Sequence, residues 1–363
     1  MKIEIHRQIQ TISGIKPINM ALTLFLLLFS MNCLAGPRPP KKYPEKIFRV
    51  GFYNVENLFD WEDDPLTDDQ QFLSNGDYGW TKERFELKIS HLAKVIRKIS
   101  PDVMGVCEVE NRKVLDYLIT KTVLKKDGYS LVHYDSHDKR GIDVGLIYKK
   151  GRINVMKTAS YPVVFPGDMS KPSRDILYVK GRTAAGQELH FLVNHWPSRS
   201  GGKEKTEHKR MLAAKTARRL CDSILFSDKD ARVVLMGDFN DYPNDKSLTE
   251  GLGAQVDSTA SGHQFYNLMG WQSTNNTGSY NYKGQWGFLD QFVVSSSLIK
   301  GNGGIQAFFK NTGVADFRFI FTKVKKGQIP LPFSTYNHEG KYIGGYSDHL
   351  PVYTDFYFNQ GKP

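Results

Sequence analysis

Short apolar runs recur along the chain with the length and spacing of β-strands, and two longer stretches repeat their apolar positions with the period of an α-helix. The runs that predict strands are Ile47–Val55, Val103–Cys107, Val144–Tyr148, Ile176–Lys180, Glu188–Asn194, Arg232–Met236, Phe288–Val294 and Val352–Phe358. Many strands with few helices in one long domain predict a β-sandwich that has helices packed on its outside.

The first predicted helix follows Thr81, whose hydroxyl suits the N-cap position, and it stops before Pro101. Its apolar stripe consists of Phe85, Ile89, Leu92, Val95, Ile96 and Ile99. The second predicted helix runs from about Lys203 to Ser227. Its apolar face consists of Met211, Ala214, Ala217, Leu220, Ile224 and Leu225. Each stripe predicts that one face of the helix is buried.

The N-terminal segment has the pattern of a secretory signal peptide. The apolar stretch Ala21–Ser30 follows scattered basic residues, precedes small residues and is too short to span a bilayer. We therefore predict a signal peptide over residues 1–35, a solvated linker over 36–45 and one folded domain over 46–360. A lipid-anchored form that is cleaved before Cys33 is the alternative. The protein is expected to be secreted or periplasmic, or else lipid-anchored at the cell envelope, with no transmembrane span.

The charge balance of the chain is basic. Removing residues 1–35 takes away three basic residues and one acidic residue, so the net charge falls from +11 to 11 − 2 = +9. Such a balance favours anionic partners such as nucleic acid, phospholipid or phosphorylated metabolites, although it also serves solubility alone. Cys107 and Cys221 stand in apolar surroundings and lack a CxxC pattern, so we predict two buried free thiols. The acidic segment Asp60–Asp69 lacks the EF-hand spacing and is interpreted as a solvated loop.

Polar residues with useful chemistry follow the ends of several predicted strands. The tetrapeptide Gly237-Asp238-Phe239-Asn240 comes directly after a buried strand, and its spacing places Asp238 and Asn240 on the same face. A carboxylate that accepts a proton and a carboxamide that donates hydrogen bonds are both needed when water attacks phosphorus. The other residues in such positions are Asn54, Glu56, Glu108, Asn194, His195, Asp290, Asp348 and His349. Each one alone is also an ordinary cap, turn or core residue.

Taken together in chain order, these motifs resemble the endonuclease/exonuclease/phosphatase superfamily, which includes pancreatic-type deoxyribonuclease, abasic-site endonucleases, inositol polyphosphate phosphatases and bacterial sphingomyelinases. The motifs are Phe52–Leu58 (FYNVENL), Cys107–Asn111 (CEVEN), Asn194–Trp196 (NHW), Gly237–Asn240 (GDFN), Leu289–Phe292 (LDQF) and Ser347–His349 (SDH). The resemblance extends from about Phe48 to Phe358. It implies an α/β (α+β) fold, a four-layered sandwich of two mixed β-sheets face to face with helices on the outside.

The resemblance also implies a metal site. Glu108 and Asn54 match the main metal ligands of the family, and Asp348 is expected to assist them. Their hard oxygen atoms suit Mg²⁺ or Mn²⁺. The resemblance leaves open whether one or two metal ions bind.

The remaining residues match catalytic positions of the family. Asp238 matches the residue that orients or deprotonates the attacking water, and Asn240 would bond to that water or to a phosphate oxygen. His349, held by Asp290, would contact the phosphate, and His195 matches a second histidine of this kind. The division of acid and base roles among His195, His349 and Asp238 remains open.

Two arginines are further candidates for substrate binding. Arg140 and Arg199 can grip phosphate with paired donors, or they can be ordinary surface arginines.

The implied activity is that of a metal-dependent phosphodiesterase, acting as a DNase-like endonuclease on an anionic phosphoester, with nucleic acid as the expected partner and a monomer as the expected state. The basic stretch Ser198–Arg210 would attract a polyphosphate backbone, unless it is the polar face of the second helix. The aromatic-rich segment Tyr266–Trp286 can stack on bases or pack beneath the rim of the site, and packing is favoured. The alternatives are a phosphatase or phospholipase on inositol phosphates or sphingomyelin, and a non-catalytic binding protein on the same fold.

Overall fold

The computed structural model describes residues 47–165, 173–257, 259, 261–262, 264–272, 277–325 and 327–359. The predicted signal peptide, the linker and Cys33 lie outside these residues, so those assignments stay predictions. None of the helices in the described ranges has the length and apolar character needed to cross a membrane.

The strands follow one another from β1 to β15, and most of them belong to two large sheets. In chain order they are β1 (Ile47–Leu58), β2 (Val103–Val109), β3 (Tyr129–His133), β4 (Asp143–Lys149), β5 (Ile153–Tyr161), β6 (Ile176–Thr183), β7 (Glu188–His195), β8 (Val233–Asp238), β9 (Ala254–Gln255), β10 (Phe265–Asn267), β11 (Tyr280–Tyr282), β12 (Gln285–Gly287), β13 (Asp290–Ser295), β14 (Ile305–Val314) and β15 (Val352–Phe358). All eight predicted strands are therefore confirmed, with their ends shifted by at most a few residues.

Each large sheet is mixed. The first has six strands in the order β14-β15-β1-β2-β4-β3, and the second has seven in the order β5-β6-β7-β8-β13-β10-β9. The pairs β1–β2 and β7–β8 are parallel, whereas β1–β15 and β8–β13 are antiparallel. The strands β11 and β12 form a separate small hairpin.

The helices lie outside the two sheets. They are α1 (Lys82–Ile99), α2 (Arg112–Thr120), α3 (Lys203–Ser227) and α4 (Ser296–Lys300). Thr81 caps α1 by accepting a hydrogen bond from the Arg84 amide, and the whole predicted stripe of α1 is buried, so the first helix is confirmed. The second predicted helix is confirmed as α3, but its buried face centres on Ala213, Ala217 and Cys221, with the longer apolar side chains only partly covered.

Three apolar layers hold the sandwich together. Side chains of both sheets, such as Phe52 and Phe292, interleave in the central core. The outer face of the first sheet packs against α1 and α2, and the outer face of the second packs against α3. This gives the four-layered architecture, helices–sheet–sheet–helix. Both Cys107 and Cys221 are buried free thiols, as predicted.

The segment Asp60–Asp69 differs from the expected solvated loop. The side chains of Asp60 and Asp69 are buried, and the Asp60 amide donates to the Glu110 carboxylate at 2.6 Å. Burial, with the nearby charges of Asp60 and Asp69, raises the pKa of Glu110 to about 8. The two ends of the segment are thus folded against the protein, whereas most residues between them are exposed.

A glycine sets the distance between the two sheets. A Cβ atom on Gly105 of β2 would lie 2.7 Å from Met236 Sδ and 3.0 Å from Val193 Cγ1, both in the facing sheet. The backbone of the first sheet can approach the second this closely only because no side chain stands between them.

We expect Gly105→Ala to lower the free energy of unfolding by about 1–3 kcal/mol, because the added methyl group overpacks the central core. Urea unfolding followed by circular dichroism measures the change. Gly313→Ala on β14 is the matched control, since no atom lies within 4 Å of a Cβ built there. Equal stability of both variants would contradict the close-approach role of Gly105.

Candidate active site

The predicted site residues meet where the two sheets face each other, at the carboxyl ends of two parallel strand pairs. Asn54 on β1 and Glu108 on β2 come from the first sheet, and His195 and Asp238 come from the second. The Asn54 amide Nδ2 donates to Glu108 Oε1 and to Asp238 Oδ2, each at 3.1 Å. One side chain therefore joins the catalytic ends of both sheets.

The geometry of the Gly237–Asn240 tetrapeptide explains its composition. A Cβ on Gly237 would lie 2.4 Å from the Asn194 carbonyl oxygen, so only glycine lets β8 lie this close to β7. Asn240 has a left-handed backbone with φ of 52°, and its amide donates to Asp238 Oδ1 at 2.9 Å. Its side-chain Nδ2 donates to the Trp196 carbonyl at 3.0 Å, which leaves its second N–H for another acceptor.

A β-bulge at the end of β2 orients the Glu108 side chain. The register between β2 and β4 shifts between Cys107 and Val109, and Glu108 has a left-handed φ of 62°. A bulge re-aims a side chain at the end of a strand. The carboxylate consequently faces the second sheet, with Oε1 at 3.8 Å from His195 Nε2, while Cys107 packs into the central core.

The two histidines have opposite electrostatic surroundings. His349 Nδ1 lies 2.7 Å from Asp290 Oδ2, and its Nε2 lies 3.9 Å from Asp238 Oδ2. Burial alone would lower the pKa of His349, but the carboxylates of Asp290, Asp348 and Asp238 outweigh it and hold that pKa well above its usual value. His349 is therefore a cation at neutral pH.

His195 is neutral by the same reasoning. Its Nε2 lies 3.7 Å from Asp238 Oδ2, but burial and the positive charges of Arg174, Arg140 and His349 hold its pKa well below the usual value. A neutral imidazole and an imidazolium thus flank the same carboxylate. The neutral His195 can accept a proton, and the cationic His349 can bind a negatively charged phosphate.

The carboxylates of the site have too little positive charge near them to keep their pKa at the ordinary value. Burial raises the pKa of Asp238 to about 6 and that of Asp348 to about 7, and Glu108 adds to both shifts. Buried carboxylate oxygens that repel one another suit a hard divalent cation, because it binds through oxygen and its charge neutralises theirs. Asp238, Asp290 and His349 also offer ligand atoms within 4.8 Å of one another. The donor chemistry therefore fits a divalent metal ion.

A family model described as Endonuclease/Exonuclease/phosphatase family matches residues 49–357 of the chain. The chain belongs to the endonuclease/exonuclease/phosphatase family. Enzymes of this family hydrolyse phosphoesters and generally use divalent metals. No curated protein sequence matches the chain.

Solved structures share the fold at low sequence identity. An endonuclease/exonuclease/phosphatase family protein from Bacteroides thetaiotaomicron is 15% identical with a TM-score of 0.56, covering 86% of this chain and 96% of that one. A mannosyl-6-phosphatase from the same organism is 15% identical with a TM-score of 0.54, covering 86% and 100%. TDP2 from D. rerio, solved with a single-strand DNA product, is 16% identical with a TM-score of 0.50, covering 85% and 98%. These identities establish a shared fold and leave the substrate open.

Asn54 presents its amide nitrogen, rather than its oxygen, to the carboxylates. Its Oδ1 accepts the Glu56 amide at 3.0 Å. For Asn54 to bind a metal through oxygen, as the sequence predicts, the carboxamide must turn over, which ends the hydrogen bonds of Nδ2 to Glu108 and Asp238 and withdraws Oδ1 from the Glu56 amide. Glu56 itself is engaged elsewhere: it accepts the amides of Thr335 (2.6 Å) and Tyr336 (3.3 Å) and lies 3.6 Å from the buried Lys88 Nζ.

The two predicted phosphate arginines differ in their surroundings. Arg140 is 47% exposed at its side chain, lies 3.4 Å from Asp138 and acts electrostatically on His195, so it is near the site and partly free. Arg199 requires a correction. Its guanidinium donates to the Asn240 carbonyl (2.6 Å) and is bonded to Asp241 and Asp245, so it holds the segment after Asn240 rather than a phosphate.

Arg174 is a site residue that the sequence did not reveal, whereas Tyr280 belongs to the aromatic-rich segment for which the sequence favours packing beneath the rim of the site. The buried Arg174 guanidinium donates to Asp138 (3.3 Å) and to the Trp196 carbonyl (2.8 Å), while its buried Nε has no hydrogen-bond partner. The Tyr280 ring lies against His349, with 4.5 Å between ring centroids. Arg174 lies just before β6, and a position before a strand carries no spacing that marks it as functional.

A buried ion pair stabilises the backbone directly after the tetrapeptide Gly237–Asn240. Arg210 is fully buried, and its Nε lies 2.8 Å from Asp241 Oδ1, while the Ser247 hydroxyl donates to Asp241 Oδ2 at 2.6 Å. Together with Arg199, this pair fixes the backbone directly after Asn240. Removing one partner would leave the other charge buried and uncompensated.

We expect Arg210→Met to lower the free energy of unfolding by about 3–5 kcal/mol, and the double variant Arg210→Met/Asp241→Asn to lose less than the sum of the two single variants. Urea unfolding of the four proteins measures the coupling. Arg112→Met with Asp116→Asn, an exposed pair on α2, is the control and should show little coupling. Additive losses at Arg210 and Asp241 would contradict the supporting role.

Proposed function

We propose that this protein is a metal-dependent phosphodiesterase that acts as a DNase-like endonuclease. The observation that carries the proposal is the position of Asp238, a buried carboxylate that lies 3.7 Å from His195, 3.9 Å from His349 and within hydrogen-bond distance of Asn54. Such an arrangement suits hydrolysis of a phosphoester by water.

Glu108 and Asp348, with Asn54 through its carboxamide oxygen, would hold the metal, either Mg²⁺ or Mn²⁺. When bound, the metal would neutralise negative charge on the phosphate oxygens. Asp348 and Glu108 repel each other in the protein alone, and this repulsion favours a cation between them.

Asp238 would orient the attacking water and take its proton. A pKa of about 6 leaves most of this carboxylate ionised at neutral pH, which a general base requires. The free N–H of Asn240 would donate to the water or to a phosphate oxygen. The cationic His349 would bind the phosphate, with Asp290 fixing the ring, while the neutral His195 and the partly free Arg140 would complete the phosphate site.

Nucleic acid is the substrate we favour. The net charge of +9 after loss of residues 1–35 (11 − 2) and a structural neighbour solved with a single-strand DNA product support it. The stretch Ser198–Arg210 supports it less than its composition suggests, because Arg199, Lys203 and Arg210 are paired with Asp241 and Asp245. A phosphatase is the second candidate, favoured by the neighbour that is a mannosyl-6-phosphatase. We also propose that the protein is a secreted or periplasmic monomer.

We expect purified protein to nick plasmid DNA with Mg²⁺ or Mn²⁺, to lose activity in EDTA and to regain it when metal is restored. Asp238→Asn should reduce the rate by about 10²–10⁴-fold, the contribution of a positioned general base. Gel analysis of plasmid, with sphingomyelin, inositol phosphates and a sugar phosphate assayed in parallel, measures substrate choice.

The control is Asp63→Asn, which changes an exposed acid on the segment after β1 and should cleave at the wild-type rate. Cleavage in EDTA would remove the metal from the mechanism. Intact plasmid beside rapid phosphate release from a sugar phosphate would replace the nuclease with the phosphatase.

We expect Asp290→Asn to move the basic limb of the kcat/KM pH profile to lower pH. His349 must be protonated to bind phosphate, and the Asp290 carboxylate is the largest of the charges that raise its pKa, so removing that charge lowers the pH at which His349 loses its proton. Initial rates across the pH range measure the shift, with Asp63→Asn as the control. An unmoved basic limb would exclude His349 as the group that titrates there.

A further inference from the structure

The small hairpin of β11 and β12 forms a wall beside the phosphate-binding histidine. Tyr280 forms an antiparallel bridge with His349, and the two rings are tilted by 31°. The strand β11 is therefore fixed by its backbone, as well as by its side chain, against a residue that contacts the phosphate. Whatever follows Tyr280 along this strand lies at the rim of the site.

The alternation along β11 decides which side chains face the site. Tyr280 and Tyr282 share one face, because side chains two residues apart on a strand point the same way. The Tyr280 pKa is raised by burial and by the charges of Asp348, Asp238 and Glu108, so its hydroxyl lies within the field of the site acids. Asn281 points to the opposite face, where its partner Trp286 packs towards Phe321.

The Tyr282 side chain is exposed to solvent at the rim of the site. It is 58% exposed, although it neighbours the buried, charged centre of the site. The Lys283 ammonium lies 5.3 Å from the centroid of the Tyr282 ring. Along a strand, Tyr282 lies about 7 Å beyond Tyr280, comparable with the length of one nucleotide unit. An aromatic platform with an adjacent cation suits a planar ring joined to a phosphate.

We propose that Tyr282 is the specificity-determining residue that stacks on the nucleobase next to the scissile phosphate. The inference rests on the proposed function, and it names the substrate class of the same site: phosphodiesters that carry a planar ring one unit from the reacting phosphorus. Tyr280 holds the platform in register with His349, and Lys283 attracts the neighbouring phosphate.

The test compares two single-stranded substrates of equal length with Mg²⁺ present, an oligothymidylate and an oligomer whose units all lack the base. We expect Tyr282→Ala to lower kcat/KM for the oligothymidylate by about 5- to 150-fold, the range for loss of one stacked base, chiefly through KM. The loss should be confined to the substrate that has bases. Tyr282→Phe keeps the ring and should restore most of the preference.

Phe226→Ala is the matched control, because Phe226 is an exposed aromatic residue near the end of α3. Equal losses on both substrates, or a Tyr282→Phe variant as weak as Tyr282→Ala, would overturn the stacking role. If the wild-type protein cleaves neither oligomer but hydrolyses a sugar phosphate, the proposed nuclease function fails, and the inference fails with it. If wild type cleaves both and Tyr282→Ala shows no selective loss, the inference alone fails.

Discussion

The constraint on which the site depends is the close packing of the two sheets, which brings the Asn54 side chain within hydrogen-bond distance of both Glu108 and Asp238. Glu108 belongs to one sheet and Asp238 to the other, so these two carboxylates are brought together only while both sheets are packed. The empty position at Gly105 and the close strand approach at Gly237 set the spacing that these bonds require. The packing of the sandwich and the orientation of the Glu108 and Asp238 carboxylates are thus one constraint.

Four of the six non-glycine residues with left-handed backbone in the described part of the chain lie at this meeting of the sheets. Glu56, Asn57, Glu108 and Asn240 all have φ between 48° and 62°. Such conformations are costly for residues with a side chain, and they persist where surrounding contacts determine them. Here those contacts include the Glu108 carboxylate bonded to the Asn57 amide at 2.9 Å and the Asp238 carboxylate bonded to the Asn240 amide. Left-handed backbone therefore coincides with two of the predicted site residues, Glu108 and Asn240.

The sequence predicts the parts of the molecule that local pattern controls. Buried strands such as Val233–Asp238 are continuous apolar runs, and the polar residues that follow them converge because strand ends meet at one edge. The strand β5 lies at the edge of its sheet and was not predicted, because only Ile153 of it is buried and no continuous apolar run marks it. The sequence also could not predict which charged side chains form ion pairs in the folded protein. Arg199 bonds to Asp241 and Asp245, and no spacing in the sequence distinguishes an arginine that forms such ion pairs from one that is free to bind phosphate.

The pairing of β1 with β15 has a consequence for when the site can exist. Asn54 is among the first residues of the domain to be synthesised, whereas Asp348, His349 and the strand that covers the edge of β1 are among the last. The tie between Glu56 and Thr335 likewise joins positions 279 residues apart. A growing or truncated chain that stops before Asp348 lacks Asp348, His349 and β15, and the edge of β1 that β15 covers has no partner strand. The candidate site is therefore incomplete until the last part of the domain has been synthesised.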